Sequence, residues 1–160
     1  MRLTIAAVGK VKRGPDRDLV ERYLDRLAKV GPKVGLDFRG VRETTESRLA
    51  TVGERRREEA ARLGEGMDED CVRLVFDERG ENLSSEELAA LIGGMRDAGR
   101  RETRLFLGGP DGHDPDFVKA ADRCLCFGRM TFPHQIARLM LAEQLYRVAT
   151  ILAGHPYHRS

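Results

Sequence analysis

Short apolar runs alternating with helix-spaced segments constrain the fold of this chain more than any other feature. Leu3–Val8 is such a run, closed by Gly9, as expected of a strand covered on both faces. After Pro15, the residues Leu19, Tyr23, Leu24 and Leu27 recur at helical spacing until Gly31 and Pro32 stop them. Lys33–Val41 carries Val34, Leu36 and Phe38 in alternation and is expected to be a second strand. Cys71–Asp77, Thr103–Leu107 and Arg123–Phe127 are expected as strands three to five. Between them, Ser84 and Glu87 form a capping box that opens a helix with Leu88, Leu91, Ile92 and Met95 on one face, closed by Gly99. Asp114 and Pro115 suit the cap and first turn of a short helix, and Pro133–Ala153 is the longest helix. This order predicts an α/β domain with a mainly parallel sheet flanked by helices. A chain of 160 residues can bury roughly 70% of its unfolded surface, so residues 1–160 are read as one domain.

Charge excludes some functions. A net charge of +2 does not mark a nucleic-acid binder, so any RNA contact must come from local clustering. Glu43–Glu69 is strongly charged and is read as a solvated helix resting on Leu49, Val52 and Ala60, with an RNA-facing role for Arg55, Arg56 and Arg57 as the alternative. Cys71, Cys124 and Cys126 make an odd number without a CxxC pair, which spells neither a disulfide framework nor a tetrahedral zinc site. The opening MRLTIAAVGKVK is too short and too soon charged for a signal peptide, and no run has the length of a membrane span. A cytoplasmic protein with no membrane contact and no metal is expected.

In a parallel α/β sheet, ligands bind beyond the carboxyl ends of the strands, which directs attention to the loops after Phe76, Leu107 and Phe127. The second of these, Gly108-Gly109-Pro110-Asp111-Gly112, lets a ligand approach bare backbone, yet it is neither GxGxxG nor a Walker loop. The third, Gly128 through Pro133, feeds the longest helix. On that helix Ala137, Leu141, Leu145, Val148, Ala149 and Leu152 form one stripe, while Ile136, Met140 and Ile151 stand nearly opposite. Apolar residues on two sides call for two neighbours, the second being a partner subunit. Arg138 lies within the larger stripe and must find a carboxylate, carbonyl or phosphate, either as an interface ion pair or as an anion site. Glu143 and Arg147 form a helix pair, with Arg147 also within reach of the tail. That tail, His155, Tyr157, His158 and Arg159, has the aromatic and cationic character that holds an unstacked base and its phosphate.

The blocks LTIAAVGKVK, LFLGGPDG, MTFPHQIARLMLAEQLYR and HPYHR occur in this order over nearly the whole chain. Together they closely resemble the ribosomal RNA large subunit methyltransferase H family, a branch of the SPOUT methyltransferases. The resemblance implies an α/β domain ending in a deep trefoil knot and a homodimer. It implies methyl transfer from S-adenosylmethionine to N3 of a pseudouridine in large-subunit ribosomal RNA, on assembled ribosomes. Carried over by position, cofactor binding falls to Phe76, Gly109, Gly128, Arg129, Met130, Thr131, Phe132 and Pro133. Substrate binding falls to Arg138, His155, Tyr157 and Arg159, with His158 as the candidate base. Asp111 stands where many members carry Glu, and Gly128-Arg129 replaces a common Ser-containing pair. The competing readings are another SPOUT reaction, such as ribose 2′-O-methylation of transfer RNA, and a ribosome-binding protein without catalysis.

Overall fold

The fold is built on a five-stranded, wholly parallel sheet in the order β2-β1-β4-β3-β5. The strands are β1 (Arg2–Val8), β2 (Asp37–Thr44), β3 (Val72–Asn82), β4 (Glu102–Leu107) and β5 (Arg123–Cys126). The helices are α1 (Pro15–Val30), α2 (Val52–Gly64), α3 (Ser85–Asp97), α4 (Pro115–Lys119) and α5 (His134–Leu152). The computed structural model describes residues 1–157.

Side chains alternate across a strand, so a strand with cores on both sides is apolar on both faces. β1 shows this directly: Leu3, Ile5 and Ala7 join one core, and Ala6 and Val8 join the other. The larger core lies under α1, α3 and α5, where Leu27, Leu88, Ile92, Leu141 and Leu145 are buried. The smaller core sits under α2 and α4, with Leu63, Val75 and Phe106 buried and Phe117 packed against them.

Three expectations shift. Lys33 and Val34 belong to a 3₁₀ turn, Gly31–Val34, and the second strand starts only at Asp37. Pro32 fixes the turn, Gly35 takes the left-handed φ of +72°, and the Leu36 amide donates back to the Gly31 carbonyl at 2.9 Å. α2 does not rest on Leu49 and Val52, which are 45% and 42% exposed; its buried residues are Glu59 and Leu63. Thr51 caps this helix in a box with Glu54, as Ser84 does with Glu87 at α3.

The third shift bears on the site. β3 runs five residues past Asp77, to Asn82. Leu125 of β5 pairs with both Phe76 and Glu81, so residues 77–80 bow out of the pairing between them. Helix α5 buries Leu141, Leu145, Val148 and Ala149 as expected, while Ala137 and Leu152 of the same stripe are half-buried against the core; of the opposite set Ile151 also packs on that core, and Ile136 and Met140 are half-buried outside it. No helix among the described residues is long and apolar enough to cross a membrane.

Candidate active site

The carboxyl ends of β3, β4 and β5 open into a cleft of about 470 Å³, within the usual range for small-molecule sites. Its walls include Phe76, Gly109, Gly128, Met130, Thr131, Phe132 and Pro133. Arg129 does not line it; its side chain is exposed to solvent. Phe76 and Phe127 stack with ring centroids 4.7 Å apart and give the cleft a flat apolar wall. The bow after Phe76 adds Asp77, Glu78 and Arg79 to the rim. Arg79 donates through Nε to Asp77 at 2.8 Å, and this contact holds the carboxyl below its ordinary range.

The glycine loop after β4 closes on itself, the Gly112 amide donating to the Gly109 carbonyl at 2.9 Å with Gly112 at a φ of +79°. Behind it the space is full: a Cβ on Gly109 would stand 2.9 Å from Val8 Cγ1 and 3.1 Å from Glu59 Oε2. From the front, α2 clamps the loop. Arg55 donates to both Asp111 oxygens, at 2.6 and 3.2 Å, and Arg56 Nε donates to the Asp111 carbonyl at 2.7 Å. The Arg55 contact pulls the Asp111 carboxyl below its ordinary range. Asp111 therefore has its own arginine, and Arg55 and Arg56 have a partner within the chain in place of an RNA phosphate.

Under the loop lies His113, 4% exposed, its ring stacked on Phe117 at 5.7 Å and its Nε2 without a hydrogen-bond partner among the described residues. Burial drives its pKa from 6.5 down to about 4. The unfolded chain therefore takes up a proton first. Above pH 6.5 the imidazole is neutral in both states, and between 6.5 and about 4 its burial costs stability progressively, up to about 3 kcal/mol. His113→Phe retains a flat ring beside Phe117 and should flatten that part of the pH dependence. Urea midpoints of both proteins, measured from neutral pH down to the acid limb, will show it; parallel curves would rule out a neutral buried imidazole.

Arg138 is turned inward. It is 2% exposed, pairs with Glu43, and donates to the Gly9 carbonyl at 2.9 Å and the Val8 carbonyl at 3.4 Å. Burial lowers its pKa, with the Glu43 charge opposing. The expected phosphate or tail anchor is thus an internal brace between the ends of β1 and β2 and helix α5. The tail does reach α5 elsewhere: Tyr157 donates its hydroxyl to Glu143 at 3.1 Å, packs on Tyr146, and carries Arg147 5.1 Å from its ring centre. Burial raises the Tyr157 pKa. His155 is exposed and its Nδ1 accepts from the Tyr157 amide at 3.2 Å. Neither residue lines the cleft of its own chain, and His158 and Arg159 lie outside the described residues. Sequence reasoning missed Arg56, His113 and His134 as cleft residues. His134 had a visible signal, since it directly follows Pro133; the others are brought in by tertiary packing.

A parallel α/β sheet flanked by helices places this glycine-backed cleft at its carboxyl edge, where sheets of this class take small ligands. A family model described as "Predicted SPOUT methyltransferase" matches residues 1–158, and the chain belongs to the SPOUT methyltransferases. Among its relatives, the ribosomal RNA large subunit methyltransferase H of Brucella anthropi is 55% identical over 160 residues, covering all of both chains. The proteins of the same name from Brucella abortus and Brucella melitensis are 53% and 51% identical, again over the full length of both chains.

Proposed function

We propose that this chain methylates N3 of a pseudouridine in large-subunit ribosomal RNA on assembled ribosomes, using S-adenosylmethionine, as a cytoplasmic homodimer. One observation carries the reading: seven of the eight positions expected to touch the cofactor, all except Arg129, converge on a single cleft. The names of the full-length relatives support the substrate class.

The cleft suits the cofactor. Its volume is right, the Phe76–Phe127 wall offers an apolar face, Gly128 leaves backbone free of side-chain obstruction, and Gly109 lets the loop sit against Val8 and Glu59. When bound, S-adenosylmethionine supplies a methyl group already activated by its sulfonium. The chain then has to fix geometry and handle a proton. Phe76, Gly109 and the loop from Gly128 to Pro133 hold the donor in one orientation, and such positioning can contribute about 7 to 11 kcal/mol of a barrier. The pseudouridine N3 would give up its proton and take the methyl group as the donor's carbon–sulfur bond breaks, leaving a neutral thioether. His158 is the proposed acceptor, a role worth about 10²- to 10⁴-fold. His155, Tyr157 and Arg159 hold the nucleotide. The half-buried Ile136 and Met140 supply the face on which a second copy packs, which lets the tail of one protomer close the cleft of the other.

Ribosomes from cells lacking this enzyme, incubated with labelled S-adenosylmethionine and digested to nucleosides, should yield label in N3-methylpseudouridine. In His158→Ala turnover should fall while calorimetric binding of the cofactor persists. Label in a ribose 2′-O position of transfer RNA, or a folded dimer that fails to bind the cofactor, would overturn the reading.

A further inference from the structure

We propose that Lys10, Lys12 and Arg13, flanked by Arg48 and Arg129, form the phosphate-gripping surface that lays an RNA strand across the mouth of the cleft. The inference rests on the RNA-methylation reading above and assigns its binding surface.

All five side chains are exposed, and none has an ion pair or side-chain hydrogen bond among the described residues. They come from three loops that leave the same edge of the sheet: after β1, after β2 and after β5. Gly9 shows that these loops meet. A Cβ there would stand 3.3 Å from Glu46 Oε1, in the loop after β2, and 3.5 Å from the ring of His134, which follows the loop after β5 and lines the cleft.

Most carboxylates of this edge are already neutralised from within: Glu43 by Arg138, Asp77 by Arg79 and Asp111 by Arg55. Asp16 and Asp18 sit in the first turn of α1, against the positive end of that helix. On the three loops themselves, residues 9–14, 45–51 and 127–133, the five cations face Glu46 alone among acidic side chains, while Asp16, Asp18, Glu54, Glu78 and Asp116 lie on neighbouring segments of the edge. A chain with a net charge of only +2 thus concentrates unpaired positive charge beside the cleft, as phosphate neutralisation requires. Flexible ammonium groups and a guanidinium suit backbone contacts that position an RNA without reading its sequence.

The test is co-sedimentation with ribosomes from cells lacking the enzyme, titrated with salt. In K10Q/K12Q/R13Q the slope of log affinity against log salt should become shallower by about 2 to 3, from about 0.7 to 0.9 per lost contact, and affinity near 0.1 M salt should drop by about tenfold or more. Calorimetric binding of S-adenosylmethionine and the thermal midpoint should match wild type, which separates lost contacts from lost folding. R100Q/R101Q removes two exposed cations from the opposite edge, before β4, and should leave the slope unchanged. An unchanged slope in the triple variant, with wild type binding and methylating normally, overturns the surface alone. Wild type that neither binds nor methylates ribosomes overturns the underlying reading with it. Equal loss in the Arg100 and Arg101 variant, or a loop-dependent preference for anionic phosphatidylserine vesicles over ribosomes, also overturns the assignment.

Discussion

Arg138→Ala is expected to lower the free energy of unfolding by about 3 to 5 kcal/mol, the range seen when one partner of a buried ion pair is removed. The guanidinium is 2% exposed and satisfies three groups at once: the Glu43 carboxylate and the carbonyls of Val8 and Gly9. Truncation would strand those carbonyls at the edge of the core, each at a cost of about 1 to 3 kcal/mol. Glu43 suffers less, because its side chain is 31% exposed and keeps the Val11 amide at 3.3 Å. With a urea m value of about 2 kcal/mol/M, typical of small domains, the midpoint should fall by about 2 M. Arg138→Lys should recover only part of the loss, since an ammonium cannot reach all three acceptors from one point. A double-mutant cycle with Glu43→Gln will separate the ion pair from the carbonyl contacts. An Arg138→Ala protein with an unchanged midpoint but weakened ribosome binding would restore the anion-anchor role and remove the brace.

What the sequence made legible follows from what pattern can encode. β1 was plain because a strand buried on both faces reads as a nearly continuous apolar run; β4 is buried at every position yet apolar only at Leu105, Phe106 and Leu107, and that short run was enough to mark it. The capping boxes at Thr51 and Ser84 differ in this respect: only the second stood before an apolar stripe strong enough to announce its helix. β2 was displaced because Pro32 and Gly35 spent Lys33–Leu36 on a turn, and an exposed edge strand has no buried period to correct the register. α2 misled more deeply. Its exposed residues include Leu49 and Val52 at the approach and first turn, while Glu59 is buried and donates nothing to a hydrophobic period. The same limit applies to the site. Strand-end loops located the cleft, since their position follows from the fold class. Arg55 and Arg56 on Asp111, or His113 beneath the glycine loop, depend on how α2 and α4 dock, and contacts so distant in sequence leave no spacing to read. Arg138 lies between these cases: its burial was legible from the helical stripe, and its partner was not.

Gly80→Ala should be at least as damaging locally, and for a reason no side-chain rearrangement can relieve. A Cβ at this position would fall 2.3 Å from the Leu125 carbonyl carbon, 2.4 Å from its oxygen and 2.6 Å from its nitrogen. These are backbone atoms of a residue that is 1% exposed and paired on β3 to both Phe76 and Glu81. Overpacking a core commonly costs about 1 to 3 kcal/mol when side chains can shift. Here a whole strand end must move, losing the Glu81 and Asn82 pairings with β5 and straining the Arg123–Glu81 ion pair, so about 3 kcal/mol or more is expected. Gly94→Ala is the matched control. It lies inside α3 with nothing within 4 Å of the new Cβ, and should stabilise by roughly 0.5 to 1 kcal/mol through helix propensity. Urea midpoints should therefore move in opposite directions for the same chemical change, and hydrogen exchange should speed up at residues 78–82 only in the first. Because the bow between Phe76 and Glu81 carries Asp77, Glu78 and Arg79 to the rim, cofactor affinity should fall in Gly80→Ala and hold in Gly94→Ala. A Gly80→Ala protein with wild-type midpoint and affinity would mean that β3 and β5 do not meet backbone to backbone, and that the rim is built some other way.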